Sequence, residues 1–272
     1  MMRLLMCPPL YYGTGHEDPA AGGSRQGNPQ AAQQQWRALY RLLEDDLNME
    51  ITLLEPRAAL PDMVFAANAG FVWGSNFIAG NLRDKARRAE APAFENWFQV
   101  RGFEVFHLPE ENLFEGESDL LLCGDRFVAA WRAPSADAVS HRKVAEILGR
   151  DVLSLKLADN WPHHLDACLC PLGQGQALFY PPAFDREAAK TLKDRIETLV
   201  PVPEDEARRF ACNAIVVEKS VVMNDGCPKT REQLRALGFS VYETPLSEFA
   251  KAGGSAKCLA LKVPHLDTTS IL

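Results

Sequence analysis

Residues 119–157 read DLLLCGDRFVAAWRAPSADAVSHRKVAEILGRDVLSLKL, and four signals follow one another in them. A polar residue, Asp119, opens the stretch. An apolar run, LLLC, turns at Gly124-Asp125 into a second run, RFVAAW, which is the pattern of a β-hairpin. Helical periodicity follows over residues 136–150, and VLSLKL closes the unit as one more strand. The expected unit is strand, strand, helix, strand.

The same order recurs on both sides of this stretch. FVWGSNFIAG (71–80) is followed by PAFENWFQVRG and then FEVFHLP. CLCPLGQGQALFY (168–180) leads to DREAAKTLKDRIETL and LVPVP, and AIVVEKSVVMN (214–224) to KTREQLRALG and FSVYETP. An opening helix over residues 31–47 and the strand MEITLLEP precede the first hairpin. Asn68, Asp119, Asp166 and Asn213 stand just ahead of the hairpins, and Cys258 holds the next equivalent place; the intervals are 51, 47, 47 and 45 residues. A period of about 40–50 residues marks a ring or a stacked array. A helix in every unit points to α/β blades and away from an all-β propeller. The fifth unit, CLALKV, lacks a following strand, and the N-terminal RLLMCPP can supply it. A doubly wound sheet fits less well, because the hairpins imply antiparallel pairs and no Gly-x-Gly-x-x-Gly follows the first strand. The expected fold is a five-bladed, pseudo-symmetric α/β propeller of ββαβ units, one domain over residues 1–272.

Composition narrows the class. The chain has 272 residues, a net charge of −7 and 47% hydrophobic content, as an ordinary globular protein does. That charge argues against a nucleic-acid partner, which needs a clustered basic face. The densest basic run, RDKARR (83–88), is interrupted by Asp84 and reads as a solvated face, with a lid that meets an anionic group as the lesser reading. No run of 18 apolar residues occurs, so no membrane segment is expected. Seven cysteines without a Cys-x-x-Cys pair suit reduced thiols in a cytoplasmic protein. A homo-oligomer is compatible with all of this.

In a ring of equivalent blades, equivalent positions face the axis. Asn68, Asp119, Asp166, Asn213 and Cys258 are therefore expected to face one another, although residues of these types also cap turns. Glu115 and Glu117 lie just before Asp119 in FEGESD, and His164 lies two before Asp166 in HHLD, on one face of an extended segment. Cys258 follows GGSAK, whose glycines allow a close backbone approach. One thiol, one imidazole and several carboxylates suit attack on a guanidinium. Carboxylates hold the planar cation, a thiolate adds to its carbon, and a histidine protonates the departing amine and then activates water. A cysteine protease has no use for so many carboxylates, and a zinc site would need a further ligand pair beside His163 and His164.

PDMVFAANAG, FEGESD, HHLDACLCP, FACNAIVV and KAGGSAKCLALKV resemble, in order, the motifs of the amidinotransferase superfamily, which includes arginine deiminase, dimethylarginine dimethylaminohydrolase and arginine dihydrolase. The resemblance implies the pentein fold, no metal and no organic cofactor, and a small guanidino substrate. It matches Cys258 to the nucleophile, His164 to the acid/base and Asp166 to a guanidinium ligand. FEGESD has one residue more than the usual Glu-Gly-Gly-Asp, so Glu115 is taken as the main guanidinium carboxylate, Asp119 as the next and Glu117 as the third. Asp62 in PDMVF and Asn213 join the substrate-binding set. Two departures stand out. Asn68 occupies a place where deiminases carry aspartate and the dihydrolase-like branch asparagine. The loop GTGHEDPAAGGSRQG (13–27), with His16, replaces the Asn-Pro-Trp-Met of that branch and is expected to form a lid. Hydrolysis of arginine or an N-methylated arginine leads. Amidino transfer to an amine and a catalytically idle binding ring are the alternatives.

Overall fold

The computed structural model describes residues 2–13, 17–18, 23–24, 27–132, 138–158 and 164–264. The N-terminal strand β1 (Met2–Met6) is followed by a small pair, β2 (Glu17–Asp18) and β3 (Gly23–Ser24), and by helix α1 (Pro29–Arg41) and strand β4 (Glu50–Leu53). Three successive units follow: β5 (Gly70–Trp73), β6 (Asn76–Ala79), α2 (Ala91–Gln99), β7 (Glu104–Phe106); β8 (Leu120–Cys123), β9 (Arg126–Trp131), α3 (Ala138–Leu148), β10 (Val152–Lys156); and β11 (Leu169–Gly173), β12 (Gln176–Phe179), α4 (Arg186–Arg195), β13 (Thr198–Pro201). A single turn, α5 (Glu204–Ala207), leads into β14 (Ile215–Val217), β15 (Ser220–Asn224), α6 (Pro228–Ala236) and β16 (Ser240–Thr244). Another turn, α7 (Ser247–Ala250), precedes the last strand, β17 (Leu261–Pro264).

Each unit builds a three-stranded sheet with one rule of pairing. The first two strands are antiparallel and the third lies parallel to the second, as in β5-β6-β7, where Phe71 faces Ile78 and Ile78 faces Phe106. The tight hairpins supply the antiparallel pair, and the helix makes the crossover that a parallel neighbour requires. Left-handed residues form the turns: Gly74 and Gly124 in two hairpins, and Gln174 and Glu218 at the others.

The fifth sheet is assembled from both ends of the chain. β17 pairs antiparallel with β1, and β1 pairs parallel with β4 in the order β17-β1-β4. The N-terminal strand is thus the middle strand of the last blade, and α1 is that blade's helix. Asn28 caps α1 by accepting from the N–H of Gln30 and Ala31 at 3.0 and 3.2 Å, just before Pro29. The helix expected over 31–47 begins two residues earlier and changes at Leu42–Asp46 to a wider π-helical turn.

Apolar residues pack between the sheets and their outer helices. Phe77 of β6 stacks on Phe98 of α2 at 3.8 Å between ring centres, and Leu5 of β1 joins the same cluster. All seven cysteines are free thiols. No helix among the described residues is long and apolar enough to cross a membrane.

The position of β1 generates a test. Leu5 is fully buried, whereas Leu53 on the neighbouring edge strand is 46% exposed. Leu5→Ala is expected to cost about 2–5 kcal/mol in urea unfolding and Leu53→Ala less than about 1 kcal/mol. Equal costs would contradict the central place of β1.

Candidate active site

The five axial positions all lie in, or directly after, tight turns that enter the inner strands β5, β8, β11, β14 and β17. Asn68 sits in the 3-10 turn Ala66–Ala69, Asp119 follows Gly116–Ser118, Asp166 lies in Leu165–Ala167, and Cys258 in Lys257–Leu259. All five residues are buried. Gly116 makes the close packing of two of these turns possible. Its φ is +62°, and a Cβ there would collide with the backbone of Gly70 and Ala67. Gly254 has a like role beside the thiol, since a Cβ would stand 2.8 Å from the Phe65 ring.

Two groups of side chains meet on the axis. The first surrounds Cys258. Asn213 Oδ1 accepts the N–H of Ser255 at 3.0 Å and of Cys258 at 3.2 Å, and its amide donates to the Asp166 carbonyl at 3.3 Å and to Cys258 Sγ at 3.2 Å. Asn213 is therefore fully committed to holding the cysteine turn, a different task from the substrate contact expected of it. The thiol also donates to Asp166 Oδ2 at 3.4 Å. Burial, and then the Asp166 carboxylate, push the Cys258 thiol well above its ordinary range, against smaller opposing effects of Ser255, Asn213 and Lys257. In this state the sulfur is a thiol, and a cation arriving beside it would favour the thiolate.

The second group surrounds His164. Nε2 lies 3.1 Å from Glu115 Oε2, and Nδ1 lies 3.2 Å from Asp119 Oδ1. The carboxylates are themselves fixed. The Arg83 N–H donates to Glu115 Oε1 at 3.0 Å, and the Glu115 N–H donates to Asp119 Oδ2 at 2.8 Å. Burial disfavours the charged imidazole, yet the charge of Glu115 and the hydrogen bond and charge of Asp119 outweigh it and raise His164 from 6.5 to about 9. Asp166 acts on both groups, since its charge bears on His164 as well as on the thiol. Its own carboxyl is raised, first by burial, with His164 and Lys257 opposing.

Glu115, Asp119 and His164 also present ligand atoms within 4.8 Å of one another, a spacing a metal ion could use. Both ring nitrogens face carboxylates, Glu115 on one side and Asp119 on the other.

FEGESD divides its three acids. The turn at Gly116–Ser118 sends Glu115 and Asp119 to the imidazole and Glu117 elsewhere, to the buried amine of Lys257. Glu117 thus leaves the guanidinium-binding group in which it stood third. Lys257 and Arg87 escaped the sequence reading. The signal for Lys257 was its place beside Cys258; the signal for Arg87 was the run RDKARR, read as a solvated face. Instead Arg87 is largely withdrawn from solvent, its side chain 12% exposed. Its guanidinium pairs with Glu90 through two bonds of 3.0 Å, donates to Asn68 Oδ1 at 3.2 Å and to the Asp62 carbonyl at 3.2 Å, and lies 5.8 Å from the Phe65 ring centre. Asn68 uses its other end to donate to Ser118 Oγ at 3.1 Å. Asp62 is buried in the turn Pro61–Val64. His16, His163 and most of the loop expected to be a lid lie outside the described residues.

Comparison with known proteins bears on this site. The profile of a family described as N,N dimethylarginine dimethylhydrolase, eukaryotic, matches residues 18–264. The bifunctional arginine dihydrolase/ornithine cyclodeaminase AgrE of Nostoc sp. is 39% identical over 267 residues, which are 96% of this chain and 38% of that protein. The chain therefore spans well under half the length of that relative. The N(G),N(G)-dimethylarginine dimethylaminohydrolase of Mycobacterium tuberculosis is 32% identical over 262 residues, covering 96% of this chain and 85% of the relative. A crystal structure of the N-terminal domain of the arginine dihydrolase ArgZ, covalently bound to a reaction intermediate, superposes with a TM-score of 0.92 at 38% identity, covering 97% of this chain and 98% of that one.

The imidazole provides a direct test of the geometry. The His164 ring protons, followed by NMR in the substrate-free protein, should titrate near pH 9. Its folded pKa lies above the ordinary value, so the two carboxylate contacts stabilise the fold fully below about pH 6.5 and lose that effect as pH rises through about 9. Glu115→Gln should lower the midpoint. A midpoint near 6.5 in the unaltered protein would contradict the arrangement.

Proposed function

The chain belongs to the N,N-dimethylarginine dimethylhydrolase family, and on that footing we propose that it hydrolyses the guanidino group of L-arginine through a covalent adduct on Cys258. The observation that carries this reading is the pairing of a thiol against Asp166 with an imidazolium held between Glu115 and Asp119. A guanidinium entering this axial site supplies the positive charge that the buried thiol and the surrounding carboxylates lack. Asp166, Glu115 and Asp119 offer it acceptors in fixed directions.

The steps follow from the positions. As the cation arrives, the Cys258 thiol passes its proton to Asp166 Oδ2, to which it already donates, and the thiolate adds to the guanidinium carbon. His164, already protonated, gives its proton to the departing amine, and ammonia leaves a thiouronium on the sulfur. The neutral imidazole then takes a proton from water, whose oxygen attacks the same carbon and releases the thiolate. The first product is citrulline. A second round on its ureido carbon consumes one more water and yields ornithine, carbon dioxide and ammonia. Asn213 serves as a positioning residue that fixes the nucleophile turn.

Arginine is favoured over its methylated forms by the greater identity to the arginine dihydrolase, 39% against 32%. Asn68 supports a second hydrolysis. Its amide couples Arg87 on one side to Ser118 on the other, so it brings a donor and an acceptor to a neutral ureido group where aspartate would bring acceptors alone.

Cys258→Ser is expected to lower turnover of L-arginine by more than about a thousandfold while the thermal transition stays in place. Substantial remaining activity would remove Cys258 from its role. Asn68→Asp should shift the product from ornithine toward citrulline, with both amino acids quantified by chromatography. If the unaltered enzyme releases citrulline alone, or spares arginine and cleaves only methylated forms, the role given to Asn68 is wrong.

A further inference from the structure

The turn Gly116–Ser118 directs acids to two sides. Glu115 and Asp119 go to the imidazole, and Glu117 meets the amine of Lys257, which stands in the turn Lys257–Leu259 beside the thiol. Glu117 and Lys257 are only 5% and 6% exposed. The Lys262 N–H reaches the same oxygen, Glu117 Oε2, at 3.4 Å. The Cys258 turn and the strand it enters are thus both tied to one carboxylate, on the turn that holds the partners of His164.

The two turns belong to blades separated by a third, since the turn Ala66–Ala69 of the β5 blade packs against both. Glu117 and Lys257 reach past it, in the wall of a cavity that the five inner strands line. Both ends of the link are stiff. The Ser118 N–H donates to the Glu115 carbonyl and the Asp119 N–H to the Gly116 carbonyl, each at 3.2 Å, and the Glu115 N–H to Asp119 Oδ2 at 2.8 Å. A shift of Glu117 is therefore passed to both carboxylates on the imidazole. At the other end the Lys257 N–H donates to the Asn213 carbonyl at 3.2 Å, and the Asn213 side chain holds the N–H and the sulfur of Cys258. As a source of stability such a pair is poor. Taking two ions out of water is costly, and apolar residues of similar volume commonly stabilise a fold as well or better. What a buried pair with stiff ends supplies is a fixed distance.

We propose that Lys257 and Glu117 are positioning residues of the reaction, their ion pair a strut that holds the Cys258 turn in register with the turn whose carboxylates aim His164. The proposal rests on the reading of Cys258 as nucleophile and His164 as proton donor. Those two groups act on one carbon from separate blades, and a misplacement of about 1 Å can cost about a hundredfold in rate. The strut gives a task to the third acid of FEGESD and to the lysine beside the cysteine, neither of which touches the substrate in the proposed steps.

The test compares three forms of the full chain. One is unaltered. The second combines Lys257→Met with Glu117→Gln, which removes both charges, strands neither and keeps an acceptor for the Lys262 N–H. The third is Lys257→Arg, which keeps a cation on Glu117. Alkylation of Cys258 is followed by peptide mass spectrometry with 2-chloroacetamidine, a planar cation, and with neutral iodoacetamide. The ratio of the two rates cancels any change in the thiol's own reactivity and reads its placement against the carboxylates. The double variant should keep a cooperative thermal transition, while this ratio falls at least about tenfold. With L-arginine its kcat should fall at least about tenfold and its KM change less than about threefold. Lys257→Arg should stay within about threefold of the unaltered protein in both assays. An unchanged ratio in the double variant, a Lys257→Arg form as impaired as the double variant, or a double variant that no longer folds would overturn the assignment. Arginine left intact by the unaltered protein would refute the substrate reading alone, and the alkylation ratio would still decide on the strut.

Discussion

Everything on the axis depends on how the ring closes. Five sheets obey one pairing rule, and the last of them exists only because β1 inserts between β17 and β4. That pairing ties Leu5 to Leu261, three residues beyond Cys258, so the Cys258 turn is fixed by the first residues of the chain as well as by its own neighbours. A closed ring also removes the freedom of the five entry turns. Side chains far apart in sequence are thereby brought together, as Cys258 Sγ and Asp166 Oδ2, 92 residues apart, are at 3.4 Å.

Bringing so many polar groups to one dry axis is unfavourable unless their charges are arranged. The structure separates them into layers. Toward the front, an imidazolium lies between two carboxylates and a thiol lies against a third. Behind them, Lys257 and Glu117 form a buried pair. Removing one member of such a pair typically costs about 3–5 kcal/mol, since it strands the other charge. The thiol is held protonated by the same burial and the same Asp166 that make the front attractive to a cation. On the proposed reading, the arrival of a cationic substrate turns this thiol into the nucleophile, which stays quiet without one.

The sequence made the ring legible because its period is carried by strong local signals. Two-residue turns such as Gly124-Asp125, apolar runs of strand length and a helix per unit repeat at nearly constant spacing. The axial set was legible for the same reason, since a polar residue recurs at the same place in each period. What escaped the reading depends on the third dimension. Asn213 looks like a ligand for substrate, but its four hydrogen bonds all go to the turns beside it. Glu117 and Glu115 are two residues apart in one motif, and a left-handed glycine between them sends them to different partners. Arg87 lies in a run whose charges look solvated, and only the fold reveals that Glu90, Asn68 and Asp62 enclose it. The motif resemblance reached His164 and Cys258.

The central claim is that a thiol buried against Asp166 becomes a nucleophile toward a guanidinium carbon. Mass spectrometry of the enzyme, quenched with acid during turnover of L-arginine and then digested, tests it most directly. The account predicts a covalent adduct confined to the peptide that carries Cys258, present while substrate lasts and gone when it is exhausted. Product accumulating while Cys258 stays unmodified at every time sampled, or an adduct on another cysteine, would contradict it.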